Sequence, residues 1–185
     1  MGNVKYAAVS VPFNEEFYEE MLIQYFTENL GYEYLHGPDI ERTNDLYQDV
    51  FLPRVIKKSL CRINPDLPPV AIDEAMMRLS AVEGGSLEQR NEVFTDYLQS
   101  GVEVRYFDGK EDRDDIVYLV DYGRPEKNSF HIVNQWTYVE HENKRSDLIV
   151  FLNGIPVVIF ELKSPSREET SASDAYLQLR NYMKA

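Results

Sequence analysis

Between Asn14 and Gly31 the apolar residues Ile23, Phe26 and Leu30 recur at helical spacing. Asn14 can cap a helix, Glu15 and Glu16 are acids favoured at its positive end, and Gly31 supplies the stop, so the pattern predicts a first helix over 14–31. One turn back from Ile23 lies Glu19, whereas Glu20 falls in line with Gln24 and Thr27. Glu19 is therefore expected to face the protein and Glu20 the water. Three further helical patterns occupy 46–100, LYQDVFLPRVIKKSLCRI, AIDEAMMRLSAV and LEQRNEVFTDYL, separated by NPDLPP and EGGS. Pro53 is expected to kink the first of them or to start its second half. The period then changes: VEVRYF, DIVYLVDY and FHIVNQWTYVEH are rich in β-branched and aromatic residues and read as strands. A hairpin over 147–163 follows, and SASDAYLQLRNYMKA closes the chain as a helix with Ser171 as its cap. There is no internal repeat and no low-complexity tract. This order predicts an α/β (α+β) fold in which helices flank a central sheet.

The hairpin carries three charges inside or beside its apolar runs: Asp147, Glu161 and Lys163. Ionised side chains are rarely placed in a buried strand unless they are paired, bound to metal or chemically active. Glu161 and Lys163, two apart, project to the same side of their strand. The side taken by Asp147 depends on the turn. A two-residue Asn153–Gly154 loop sets Asp147 opposite Phe160 and away from Glu161. An odd loop, such as Leu152 to Gly154 with Gly154 left-handed, brings all three to one face. Chemistry requires the second arrangement, and that is the one expected. Two converging carboxylates would offer hard oxygen ligands to Mg²⁺, with Lys163 placed to hold the attacking water or to stabilise charge on phosphorus. An acid two residues before a lysine also occurs at Asp108 with Lys110 and Glu142 with Lys144, in polar surroundings that read as solvated turns. On these features alone, a surface salt bridge at a strand end fits equally well.

At 185 residues the chain is expected to form one domain with a core of its own. Its 43% hydrophobic and 28% charged composition is that of a globular protein. Cys61 has no second cysteine to pair with, MGNVKYAAVS lacks a long apolar core, and no run approaches the roughly 18 residues needed to span a bilayer. A cytoplasmic location with no membrane partner is expected. The net charge of −13 argues against unaided nucleic-acid binding, because affinity for phosphates comes mainly from Lys and Arg. His36, His131 and His141 show no metal-ligand spacing, so a zinc site is not expected. Trp136 and the thirteen Tyr read as core and sheet residues rather than a base-stacking platform, and Asp114 and Asp115 as an edge or turn feature. Arg54, Lys57, Lys58 and Arg62 form a basic helical face, read as solvated.

Asp147, Glu161-x-Lys163 and Gln178-x-x-x-Tyr182 together resemble the PD-(D/E)xK nuclease superfamily, in particular its RecB-like branch. More narrowly, LGYEYLHGPDI (30–40), INPDLPPVAIDEAM (63–76), GVEVRY (101–106), VNQWTYVE (133–140) and FLNGIPVVIFELKSP (151–165) make the chain similar to the amino-terminal nuclease domain of the R subunit of type I restriction-modification enzymes. The resemblance implies a restriction-endonuclease-like mixed sheet over 1–185, with a helical insert at about 43–100. It implies an endonuclease that cuts double-stranded DNA with Mg²⁺, for which Mn²⁺ can substitute. Glu19, Asp147, Glu161 and Lys163 would be catalytic, with Glu19, Asp147 and Glu161 on the metal. Gln178 and Tyr182, four apart on one helix face, would position the substrate backbone or the catalytic strand, although packing alone also accounts for Tyr182 beside Ala175 and Leu179. Where the superfamily name carries proline, this chain has Ser146.

No GxxxxGK[ST] phosphate loop occurs, so ATP belongs to the full-length subunit, whose translocase the resemblance places beyond Ala185. Modification and specificity subunits would choose the DNA sequence, which reconciles the acidity of this chain with a DNA substrate. Lys144, Arg145, Arg167, Arg180 and Lys184 are the candidates for phosphate contacts, each also readable as solvated surface. The rival reading is a non-catalytic docking or DNA-binding module of the same complex with a decayed nuclease site.

Overall fold

A computed structural model describes residues 14–41, 50–82, 84–139, 143–163 and 172–182. The first helix, α1 (Glu15–Gln24), starts where Asn14 Oδ1 accepts the Phe17 N–H at 2.9 Å, and continues as a π-helical turn over Tyr25–Asn29. That wider turn rotates Leu30 off the apolar stripe, leaving it 46% exposed, while Leu22, Ile23 and Phe26 pack inward as their spacing requires.

A four-residue strand, β1 (Glu33–His36), follows in a segment the hydrophobic pattern does not mark as extended. The insert begins with α2 (Pro53–Ile63): Pro53 opens this helix and residues 50–52 are not helical, because a missing N–H costs nothing in a first turn. Residues 46–49 of the expected helix lie outside the described residues. Next come α3 (Pro69–Ser80) and α4 (Leu87–Ser100), the latter started by a capping box between Ser86 and Gln89.

Two of the expected strands, β2 (Val102–Phe107) and β3 (Asp112–Val117), form a separate antiparallel pair that packs on α3 rather than joining a central sheet. The strand expected over 115–122 starts earlier and stops at Val117. Beyond it the Asn64 amide takes both backbone groups of Tyr118, accepting its N–H and donating to its carbonyl, each at 2.9 Å, so a side chain replaces the ladder.

The central sheet contains β4 (Phe130–Val139), β5 (Asn143–Leu152) and β6 (Ile155–Phe160) in the order β1-β4-β5-β6. Only the β1–β4 pairing is parallel, so the sheet is mixed. Leu22 and Ile23 of α1 and Phe26 of the π-helical turn cover one face, over Ile132, Leu148 and Val150. On the other, Leu52 and Val55 pack against Val133, Trp136, Ile149 and Phe151. Trp136 is 1% exposed and meets Phe151 edge-on, so it is core. The expected fold class, a mixed sheet between helices, is the one found. The last helix, α5 (Ala172–Tyr182), follows Ser171, which lies outside the described residues. Among the described residues no helix is long and apolar enough to cross a membrane.

Candidate active site

The β5–β6 turn is built from Asn153 and Gly154, with φ of 53° and 84°. Two consecutive left-handed residues make a two-residue hairpin, pairing Leu152 with Ile155 and Phe151 with Pro156. The odd loop expected from the sequence is therefore absent. Convergence comes by another route: Val157 is skipped in a bulge, after which Val150 pairs with Val158, Ile149 with Ile159 and Leu148 with Phe160. Continued by one rung, this register sets Asp147 across from Glu161.

The side chains agree with the register. Asp147 Oδ2 accepts the Leu162 N–H at 2.6 Å, and Lys163 Nζ donates to Glu161 Oε1 at 2.9 Å. The Glu161 side chain is 2% exposed and that of Lys163 23%, so the pair is sunk at the sheet edge rather than free in solvent. Burial pushes the Asp147 carboxyl above its usual range; the Leu162 N–H and the Lys163 charge pull it down, while the Glu161 and Glu15 charges add to the rise. For Lys163 burial works against the charge, but the hydrogen bond and charge of Glu161, with Asp147 and Glu15 behind them, hold the ammonium above its ordinary value.

Glu19 faces the protein as expected, half-buried, with Glu20 exposed. Its Oε1 accepts from Asn134 Nδ2 at 2.7 Å. That bond draws the carboxylate to β4, and among the described residues no three His, Cys, Asp or Glu side chains converge tightly enough to ligate one ion. The structure thus brings Asp147, Glu161 and Lys163 together and ties Glu19 to Asn134 instead. Glu15, one turn earlier on α1, is the acid of that helix whose charge reaches both Asp147 and Lys163. The sequence reading missed it, although it lies four residues before Glu19 on the same helix face. Asn134 was also missed; its signal is an amide in the middle of the apolar run FHIVNQW.

The sequence matches the Type I restriction enzyme R protein N terminus family over residues 12–185. The chain belongs to this family. It is 32% identical over 177 residues to the type I restriction enzyme HindI endonuclease subunit of Haemophilus influenzae, and 30% identical over 178 residues to the putative type I restriction enzyme MjaIXP endonuclease subunit of Methanocaldococcus jannaschii. Those alignments cover 91% and 92% of this chain but 17% of either relative, so the chain spans about a sixth of their length. A shorter match, 29% identical over 96 residues, relates half of the chain to the putative MjaVIIIP endonuclease subunit of the same archaeon and to 9% of its length.

Other residues expected to serve this R-protein domain are placed less closely. Gln178 and Tyr182 both lie on α5, but their side chains, with that of Lys144, fall outside the described residues, as do Arg167 and Lys184 altogether. Arg145 is exposed on β5 two residues before Asp147, and Arg180 stands 6.0 Å from the Tyr176 ring centroid. Ser146 is fully buried, paired across the sheet with Trp136, and its hydroxyl has no hydrogen-bond partner among the described residues. The basic face of α2 is largely committed: Arg54 pairs with Glu41, Lys57 with Asp73 at 2.6 Å, and Arg62 donates to Ser129 Oγ at 3.2 Å.

The raised Asp147 pKa has a measurable sign. Between the ordinary carboxylate range and the raised value, the folded chain keeps a proton that the unfolded chain has released, so stability falls as pH rises through that window. Asp147→Asn is expected to raise the unfolding temperature at neutral pH without divalent cations. At acid pH, where both states are protonated, the gain should vanish; thermal scans at the two pH values measure it, and a gain that grows on acidification contradicts the assignment.

Proposed function

We propose that this domain is the nuclease of a type I restriction enzyme R subunit, a type I site-specific deoxyribonuclease that hydrolyses phosphodiester bonds of double-stranded DNA with Mg²⁺. The observation that carries this reading is the Asp147–Glu161–Lys163 grouping at the edge of the central sheet, in a chain whose relatives are named endonuclease subunits.

The donor chemistry suits the cation. Asp147 on β5 and Glu161, just past the end of β6 and one rung beyond the Leu148–Phe160 pair, offer hard oxygen ligands, and Mg²⁺ usually takes one or two protein carboxylates, completing its shell with water and substrate oxygens. Asp147 and Glu161 would hold it, and Glu19, drawn aside by Asn134, would meet its waters rather than the ion. When bound, the cation supplies an acidified water and neutralises charge on the scissile phosphate. The chain's own residues do the rest. The Leu162 N–H restrains one Asp147 oxygen and leaves the other to meet the cation. Glu161 holds the Lys163 ammonium as a fixed point charge, suited to a phosphate oxygen. Lys144, Arg145, Arg167, Arg180 and Lys184 are proposed to track the DNA backbone.

A net charge of −13 leaves the domain little unaided affinity for DNA. Delivery of duplex by the modification and specificity subunits, and by ATP-driven helicase domains of the full-length chain, removes that difficulty. The test is plasmid cleavage by the assembled enzyme together with calorimetric Mn²⁺ titration of the full-length subunit. Asp147→Ala is expected to abolish cutting and one Mn²⁺ site while sparing ATP hydrolysis. Cutting that survives refutes the reading, and wild-type cutting with no Mn²⁺ site sensitive to Asp147 refutes the metal assignment.

A further inference from the structure

Asn134 is 5% exposed on a strand whose neighbouring residues Ile132, Val133 and Trp136 are core. Both ends of its amide are used: Nδ2 donates to Glu19 Oε1 at 2.7 Å, and Oδ1 accepts from the Tyr34 hydroxyl at 3.0 Å. Because a carboxylate only accepts, it must meet Nδ2, the donor end of the amide, which leaves Oδ1 to the Tyr34 phenol. Hydrogen bonds thus run one way, from β1 through β4 to α1.

The backbone beside it is held as firmly. Gln135 has φ of 51°, a left-handed value uncommon for a glutamine. The turn after β1 presses on this point: a Cβ at Gly37 would stand 2.5 Å from the Asn134 carbonyl oxygen and 2.9 Å from that of Gln135, closer than any side chain tolerates. Left-handed backbone at Gln135 breaks the alternation of β4. Asn134 turns to α1, whereas Val133 and Trp136 both enter the core on the opposite face. Since Asn134 pairs with Leu148 and Trp136 with Ser146, the strained rung is the one that faces Asp147. An apolar residue at 134 would fill the same space with no polar group to satisfy, so packing does not account for the amide.

We infer that Asn134 is a positioning residue of the nuclease site, holding the Glu19 carboxylate next to the Asp147 rung, with Tyr34 bonding the other end of its amide. The inference rests on the proposed nuclease reading, in which Glu19 meets the waters of the bound cation. It is tested on the full-length subunit in its complex, by plasmid cleavage, thermal unfolding and nucleotide-free Mn²⁺ calorimetry. Asn134→Ala is expected to slow cleavage about tenfold or more and to weaken Mn²⁺ binding several-fold, with a smaller loss for Tyr34→Phe. Adding Asn134→Ala to Glu19→Gln should cost nothing beyond Glu19→Gln alone, because one acts through the other. Losses that simply add, or a lower unfolding temperature with Mn²⁺ binding unchanged, would make Asn134 a packing residue and overturn the inference. Asp147→Ala separates the levels: if it abolishes cutting while Asn134→Ala cuts normally, only the inference falls, and if it still cuts, the nuclease reading falls as well.

Discussion

Lys163→Met is expected to slow DNA cleavage by the full-length enzyme by about a thousandfold or more, with ATP hydrolysis unchanged. Lys163 Nζ is anchored 2.9 Å from Glu161 Oε1, and three carboxylates, Glu161, Asp147 and Glu15, all favour its charged form. The ammonium is therefore a permanent charge at working pH, and methionine removes it at nearly constant length. The same change takes the ammonium away from Glu161, whose side chain is 2% exposed. Removing the cation from a buried carboxylate destabilises the fold; with Lys163 itself partly in water, the expected loss is about 1–3 kcal/mol. Lys163→Met with Glu161→Gln should recover that stability and recover no cleavage. Thermal unfolding and plasmid cutting on the two variants measure the separation. Lys163→Arg keeps the charge but replaces a compact ammonium with a planar fork, and should cut far more slowly than wild type. Cleavage that persists in Lys163→Met would place the chemistry elsewhere.

The charged trio was legible in the sequence because each member interrupts an apolar run, and burial of a charge demands a reason. The route to its convergence was not. A bulge at Val157 leaves no trace among Val157, Val158 and Ile159, three similar residues any one of which could be skipped, so the sequence led to an odd loop where the chain makes a two-residue Asn153–Gly154 turn followed by a bulge. The first helix start was readable because the cap at Asn14 is chemically explicit, whereas the Ser86–Gln89 capping box went unread inside a segment taken only as a separator. Strand ends were readable only where local propensity decided them. Asn64, fifty-four residues away in the chain, ends β3 by occupying the backbone of Tyr118, and no window around 118 contains that information. β1 escaped because four residues show too little alternation to stand out, yet it supplies Tyr34. Glu19 was assigned to the correct side of α1 by its phase with Ile23. Its partner was unreadable, since Asn134 lies on a strand more than a hundred residues later.

Asn153→Ala is expected to cost about 3–5 kcal/mol, measured as a shift in the urea midpoint, a large share of the stability of a domain this size. Asn153 is fully buried, and its side chain ties the hairpin turn to the loop before β4. Oδ1 accepts the Ser129 N–H at 2.8 Å, while Nδ2 donates to the Leu119 carbonyl at 2.9 Å and to Asn128 Oδ1 at 2.8 Å. Alanine removes the side-chain bonds to the Ser129 N–H and the Leu119 carbonyl, while Asn128 Oδ1 keeps the Asp121 N–H, and it must also adopt φ near 53°, which asparagine tolerates and alanine resists by about 1 kcal/mol. Asn153→Gly removes the bonds without the backbone penalty and should recover only that last part; a full recovery would show that strain, not bonding, sets the cost. The consequence reaches the active site through register. Gly154 packs its Cα against Ile56, where an added Cβ would lie 2.7 Å from the Ile56 nitrogen, so the turn is docked on α2 as well as on the loop. With both anchors in place the hairpin has one alignment. A one-residue slip would carry Asp147 to the face away from Glu161, so Asn153→Ala should lose more cleavage at permissive temperature than its folded fraction accounts for.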